Sequence, residues 1–383
     1  MKKTIILLAA VFGLTAHAQS WNLSGNAGTN SVSNFIGTTD NQSLVFKTNN
    51  VEWMKLTPKG RIIFQNIDTS LGWDNNLFLG GGNEITTGKA NTSVGLGSLI
   101  NNTTGVANTA IGSNSGRAIT TGGSNTAIGS NAMINGMAGN SNTALGSNSL
   151  NGFGTMTENT ALGSAALARY NAVTTDNVAA NTAVGAGSMA NLMNGINNVS
   201  VGKRAMQSMS NGTNNIAIGT HTADNLSQGQ NNIFIGSTVK ATSTFVDNEL
   251  NIGNWIIGTN GTIGIGQFTT LLPADGIAAD GEKYKLFVKD GIKTEKVKVD
   301  IAANNGWADY VFEKDYKLMP LKEVEQFINK NGHLPEVPTT EEAIKNGIEL
   351  KEMNILLLKK IEELTLYTLE QQRRIEALEQ KVK

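Results

Sequence analysis

The chain contains no cysteine. No disulfide can staple it, so a core, internal repetition or association with other chains must hold it together. Net charge is almost absent as well: 30 Lys and Arg against 31 Asp and Glu leave −1 over 383 residues. That balance gives no electrostatic reason to expect nucleic acid as a partner. Histidine is scarce. Beyond His17, His221 and His333 stand apart, with no sequence neighbour at metal-ligand spacing. No segment after the first residues is apolar enough to cross a membrane. Gly80-Gly81-Gly82 lacks the Lys-Ser/Thr pair of a phosphate loop. Residues 90–260 are so poor in Asp and Glu that neither a Ca²⁺-binding nonapeptide solenoid nor a glycosidase carboxylate pair can be placed there. The sequence therefore implies no catalytic constellation, no metal and no cofactor, and the chain is expected not to be an enzyme. A solenoid lyase or hydrolase would need a charged groove that this composition does not offer.

What is present begins with an export signal. Lys2 and Lys3 precede an apolar stretch from Ile5 to Thr15, and Ala16-His17-Ala18 has the small-x-small form of a cleavage site. Residues 1–18 are expected to be a secretory signal peptide, with Gln19 the first mature residue. Loss of Lys2 and Lys3 would take the charge from −1 to −3. A secreted or cell-surface location follows, with no membrane span after signal removal. No cysteine follows the site, so lipoprotein-type anchoring is excluded. Residues 19–75 read as a β-rich lead-in. Strands are predicted at Ser43–Thr48 and Arg61–Gln65, with Thr57-Pro58-Lys59-Gly60 as a turn between them.

The middle of the chain is ruled by glycine. Gly95, Gly112, Gly129, Gly146, Gly163, Gly185, Gly202, Gly219, Gly236 and Gly253 stand 17 residues apart, except for one step of 22 between Gly163 and Gly185. Each closes a motif such as Asn108-Thr109-Ala110-Ile111-Gly112. A fixed period of this size predicts one coil per repeat, stacked as a β-roll or solenoid over residues 76–266. The fold class expected is mainly β, followed by a small α+β region and a C-terminal coiled-coil helix.

Two columns flank the ruler. The residue before each glycine is aliphatic, from Val94 and Ile111 to Ile235 and Ile252, and the residue before that is small in most coils, as in Ser93, Ala110 and Ala217. Neighbouring strand residues face opposite ways, so the columns lie on opposite faces of one sheet. Small residues suit a thin interior, which would leave an aliphatic stripe asking for company. The reverse assignment, aliphatics inside, is compatible with the same pattern. A second glycine column, Gly88, Gly105, Gly122, Gly139, Gly195, Gly212 and Gly229, suggests turns with positive φ. An apolar column of Leu99, Met133, Leu150, Leu167, Met189 and Met206 completes coils of two strands and two turns each. Asn91, Asn108, Asn125 and their successors to Asn232 open nine of the ten motifs and predict an amide ladder from coil to coil. The extra five residues of the long step are expected as a loop within Ala168–Ala180. A threonine row, Thr92 to Thr182, would suit an ice-binding face, but the same column continues as Val199, Ile216, Ile233 and Leu250.

Beyond the repeat, residues 267–306 read as a β connector. Lys285–Val288 and Lys296–Val299 are its strands, around an Asp290-Gly291 turn. In residues 307–349 a helix is predicted over Leu321–Asn329 after Pro320. A short helix is predicted over Glu341–Lys345, capped by Thr339 or Thr340 and ended by Gly347. Residues 350–383 form a long helix whose seam is Leu350, Leu357, Ile361, Leu364, Ile375, Leu378 and Val382, with Asn354, Thr368 and Gln371 as polar members. The alternative is one amphipathic helix packed on its own domain. Leu356, Leu358, Leu366 and Leu369 widen its first half, so packing first and coiling later would reconcile the two.

The order Asn-Thr-Ala-Ile-Gly-Ser-Asn-Ser at 108–115, linked to the next copy by a Thr-Gly-x-x-Asn step, resembles the head repeats of trimeric autotransporter adhesins. The resemblance implies a left-handed β-roll, three chains side by side, with aliphatic residues at the shared interface. Trp307-Ala308-Asp309-Tyr310-Val311-Phe312, Asn331-Gly332-His333-Leu334-Pro335 and Ile361-Glu362-Glu363-Leu364-Thr365-Leu366-Tyr367 resemble the tail of secreted Bacteroidetes fibre proteins. The closing helix is similar to the endosialidase-type intramolecular chaperone of phage tail spikes. That family cleaves itself at a Ser-Asp-x-Arg-Leu-Lys motif, which is missing here. The resemblances imply a secreted fibre-like structural or adhesion protein that trimerises through Leu357, Ile361, Leu364, Ile375, Leu378 and Val382. Its expected partners are its own copies and a host glycan or surface protein. A tail-fibre-like protein whose foot is an intramolecular trimerisation chaperone, with or without self-cleavage, is the alternative.

Overall fold

Three-residue strands recur from motif to motif because most carry a β-compatible triplet bounded by asparagine and glycine, Thr-small-aliphatic in the earlier coils and with Val or Ile in place of Thr in the later ones. In the computed structural model the described residues are 24–64, 76–136, 138–152, 154–169, 177–268, 272–273, 275–278, 281–299 and 307–382. The proposed signal peptide lies outside them. The chain divides into two compact units at Asp247/Asn248.

In the first unit, Leu44–Thr48, Val51–Leu56 and Ile62–Phe64 form an antiparallel meander. The middle strand is absent from the sequence reading, because Glu52 and Lys55 interrupt its apolar alternation. These two form an ion pair at 3.3 Å instead. The tight turn before it is Asn49-Asn50, both at positive φ (49° and 58°), as a two-residue hairpin turn requires.

The repeat is a β-solenoid of about ten turns. Ten parallel strands, from Leu77–Leu79 to Ile233–Ile235, form its first sheet. Their register is unshifted, pairing Thr92 with Thr109, Ser93 with Ala110 and Val94 with Ile111. The long step leaves this register intact, since Thr160 pairs with Thr182 and Leu162 with Val184. Part of the inserted segment lies outside the described residues. Its end, Asn177–Ala179, returns as a strand beside Thr155–Thr157.

The small column faces inward. Ala110, Ala127, Ala144, Ala161, Ala183 and Ala217 are fully buried. Where serine replaces alanine its hydroxyl is paired inside the coil: Ser200 Oγ donates to Ala205 O at 2.9 Å and accepts from Ser188 Oγ at 2.7 Å. Leu99, Met133, Leu150, Leu167, Met189 and Met206 are buried against this column. The final coil shows compensation. Ala223 holds a position that is Leu or Met in most coils (Gly116 is another exception), and Phe234 stands in the small column of the next strand, both fully buried.

The expectation of two strands in every coil is corrected. The second sheet has five strands, Thr155–Thr157, Asn177–Ala179, Asn194–Ile196, Asn211–Thr213 and Gln228–Gln230, all in the later coils. Earlier, the N–H groups of Thr103, Thr104 and Gly105 all converge on Thr120 O at 2.9, 3.1 and 3.3 Å. Three donors sharing one carbonyl make a turn, not a one-to-one ladder.

In the second unit, Glu249–Ile252, Ile256–Thr259 and Thr262–Ile265 run antiparallel. Gly253 lies at the first of these turns with φ +61°, unlike the +121° to +138° of the nine ruler glycines before it. Leu286–Val288 forms as predicted, but Lys296–Val299 is not a strand. The partner of Leu286–Val288 is Thr262–Ile265, in parallel, and Leu286–Val288 is the outermost strand of that sheet. The 3-10 turn Ala308–Phe312 precedes helices α1 (Leu321–Asn331), α2 (Thr340–Asn346) and α3 (Leu350–Val382). Helix α1 ends at Gly332 in the left-handed region. Thr339 caps α2 in a reciprocal box with Glu342, and Gly347 follows its end.

Candidate functional site

The ruler glycines are structural for two reasons that act together. At Gly146, φ is +138°, and an added Cβ would lie 2.6 Å from the carbonyl carbon and oxygen of Gly163 in the next coil. The other ruler glycines from Gly95 to Gly219 meet their neighbours in the same way. The second glycine column has a different cause from the one expected. These residues do not have positive φ. Their constraint is close approach, for a Cβ on Gly88, Gly105 or Gly122 would come within 2.0 to 2.3 Å of a carbonyl oxygen in the following coil. Met156 and Val178 replace glycine in this column beside the long step, where both are buried.

The asparagine column forms the predicted ladder, ten amides long from Asn76 to Asn232. Asn142 shows the arrangement. Its Nδ2 donates to Asn125 Oδ1 at 3.0 Å and to Met156 O at 2.7 Å. Its Oδ1 accepts from Asn159 N at 3.0 Å and Asn159 Nδ2 at 3.1 Å. Both donors and both acceptor positions are therefore used, so a buried amide costs the fold little. The ladder crosses the long step without a break, Asn181 Nδ2 to Asn159 Oδ1 at 3.1 Å.

With the small residues inside, the aliphatic column is on the outer face of the first sheet. Ile111, Leu145, Leu162 and Ile218 are 39–42% exposed, and Val94, Ile128, Val184, Val201 and Ile235 are half-buried. The threonine row shares this face. From Val199 onward its place is taken by Val and Ile, so both outer columns of the later coils are aliphatic.

The predicted seam of α3 also lies open. Leu357, Ile361, Leu364, Ile375, Leu378 and Val382 are exposed by 49, 60, 63, 50, 61 and 88%. The polar seam members Asn354, Thr368 and Gln371 are exposed on the same stripe. The opposite side is occupied. Ile355, Leu358, Lys359, Glu362 and Leu366 are buried or half-buried, and α3 packs on the 3-10 turn, where Ala308 and Val311 are buried. One helix thus packs on its own domain along one side and presents a heptad stripe on the other.

A groove of about 410 Å³ runs beside that stripe. Met319, Leu321, Val324 and Leu334 line it opposite Leu357, Ile361 and Leu364. An ionic lattice holds its wall. Glu336, in the Pro-bound connector, accepts from Lys359 Nζ at 2.6 Å and from Lys360 Nζ at 3.2 Å, and Lys360 also reaches Glu363 at 2.9 Å. Burial pushes the Glu336 carboxyl up, but the hydrogen bonds and charges of the two lysines outweigh it and hold it below its ordinary value. Tyr316 donates to Glu363, and burial together with that carboxylate pushes its hydroxyl well above the usual tyrosine range.

His333 contacts the Phe327 ring edge-on and faces Leu334 O through Nδ1 at 2.9 Å. His221 is less isolated than its sequence context suggests, since its Nδ1 lies 3.1 Å from Asp224, which also pairs with Lys240. The His-x-x-Asp spacing was the available signal. Among the described residues no group of three or more His, Cys, Asp or Glu could hold a metal ion, and no helix is long and apolar enough to cross a membrane. No family model, no curated protein and no solved structure matches the chain.

Proposed function

We propose that the chain is a fibre-like structural and adhesive protein that works as a homotrimer, exported by residues 1–18 and displayed at or beyond the cell surface. The observation that carries this reading is the open α3 stripe, a heptad row of six large apolar side chains that are each 49–88% exposed. Such a row is stable in water when other helices cover it. The aliphatic outer face of the first sheet adds a second apolar surface, in the unit that resembles a trimeric adhesin head.

An assembly of two chains is the second reading, and the seam chemistry favours it. The heptad places Ile361, Ile375 and Val382 at one set of core positions and Leu357, Leu364 and Leu378 at the other. Branched residues at a with leucine at d favour two parallel strands. Three chains would need the solenoid faces to overrule that preference. Analytical ultracentrifugation of residues 19–383 separates the readings: a mass of three chains supports the trimer, two chains support the alternative, and a stable monomer at micromolar concentration overturns both. Intact mass of the secreted chain tests the export step, with Gln19 expected as its first residue.

A further inference from the structure

We propose that the outer face of the second sheet carries a binding trough for a neutral glycan. The inference deepens the adhesive reading above and rests on it. The trough, about 520 Å³, lies over Asn194–Ile196, Asn211–Thr213 and Gln228–Gln230 and is extended by Phe245–Asp247 in the same 17-residue register.

Its shape follows from the second glycine column. Gly195, Gly212 and Gly229 turn inward, where a Cβ would strike Leu192, Met209 or Val246 O. On the outside they offer bare backbone, so the floor is flat and low. The two flanking columns rise as walls, because alternate residues of a strand face the same way. Three strand steps of ~4.8 Å make the trough roughly 14 Å long, suited to a short oligosaccharide.

The walls supply the chemistry. Asn194, Asn211 and Gln228 form one wall, with Asn194 Nδ2 donating to Asn211 Oδ1 at 3.2 Å. Thr213 and Gln230 lie across from them. Primary amides carry two donors and an acceptor on one planar group, which matches the paired donor and acceptor character of vicinal sugar hydroxyls. The amide wall ends in Phe245, 62% exposed on the surface. An exposed aromatic face beside polar groups suits stacking against the C–H face of a sugar ring. Neither Lys nor Arg lines the trough, which argues against phosphate or sulfate groups. Its one carboxylate, Asp247, is anchored by Gln230 N–H at 2.7 Å. A negative charge there opposes sialic or uronic acids, so the glycan is neutral. The first sheet presents aliphatic side chains outward and the second presents amides, so self-association and ligand binding use different faces of the same coils.

The test is an array of neutral galactose- and N-acetylhexosamine-terminated oligosaccharides beside their sialylated counterparts, probed with residues 19–383 and with Phe245→Ala, Asn211→Ala and Gln228→Ala. These side chains lie on the outer surface, and sedimentation of each variant checks that assembly is unchanged. A neutral glycan should bind the wild type, and Phe245→Ala should weaken it about tenfold. A glycan bound equally well by all three variants overturns the trough and leaves the adhesive reading standing. Binding confined to sialylated glycans overturns the trough as well. Silence of the whole array with normal assembly overturns both the trough and glycan adhesion, while the fibre reading survives.

Discussion

The solenoid and the closing helix answer the same problem in opposite ways. Each must bury a repeated pattern, one of period 17 and one of heptads. The solenoid buries its pattern against its own next copy: small residues stack on small residues of the neighbouring strand, and each ladder asparagine finds its partners one coil away. Helix α3 has no second copy of itself within the chain, and its stripe remains open. Repetition along a chain can therefore complete a fold, whereas a single heptad helix only proposes one. The solenoid should tolerate separation from its partners, and the helix should not tolerate intrusion on its stripe.

The sharpest break uses one residue type in both regions. Gly146→Ala would combine a left-handed φ with a Cβ 2.6 Å from the next coil's backbone. A loss of more than ~4 kcal/mol is expected, enough to unfold several coils. Gly332→Ala, at φ +77° after α1 with open space around it, should cost only ~1 kcal/mol. Thermal unfolding followed by circular dichroism compares the two, and equal costs would break the contrast.

The amides give the next largest difference. Asn142→Ala removes two donated and two accepted hydrogen bonds in a buried site, and about 3 kcal/mol of stability should go with them. Asn354, on the open stripe of α3, bonds only to Leu350 O at 2.7 Å in its own helix. Asn354→Leu should leave stability unchanged or raise it, at the expense of a single oligomeric state. Urea midpoints and sedimentation read the two effects.

Charge on the stripe should act on assembly alone. Ile375→Asp with Leu378→Asp, on the part of the stripe beyond the groove, should shift the sedimenting species to monomer, with the dissociation constant raised at least ~100-fold. The solenoid's far-ultraviolet spectrum should stay as it was. Retained assembly would move the interface from α3 to the first sheet, where Ile111→Asp and Leu145→Asp provide the matching test.

The smallest effect is that of pH. The Glu336 carboxyl has a folded-state value below its unfolded one, so its contribution is complete above the unfolded value and disappears as pH falls through the folded value. Because Glu336 is half exposed, less than ~1 kcal/mol is at stake. Acid should therefore loosen the connector against α3 while the amide ladder, which has no titrating group, persists. Near-ultraviolet dichroism of Tyr310 and Tyr316 reports the first event and far-ultraviolet dichroism the second.

Much of this is legible in the sequence. The coil period, the strand in each motif, the amide ladder, the buried Leu/Met column, the Thr339 cap and the course of α3 all follow from local patterns that repeat or punctuate. The misses share a cause. Val51–Leu56 pairs on both sides although its charged residues blur the alternation, and Lys296–Val299 alternates well yet stays outside the sheet that ends at Leu286–Val288. Gly195, Gly212 and Gly229 read as turn glycines in the sequence, and only the second sheet makes the amides beside them a wall.

The sequence by itself determined the period and the contents of each coil, because every repeat restates the same local preferences 17 residues on. Tertiary structure decided which face is inside. A strand places side chains on both faces, and only the 0% exposure of the alanines shows that the coil is too thin for the aliphatic column. Tertiary structure also decided the meaning of the second glycine column. Its reason is a carbonyl oxygen about 2 Å from a missing Cβ, in a residue 17 positions away, and that distance exists only once the coils are stacked.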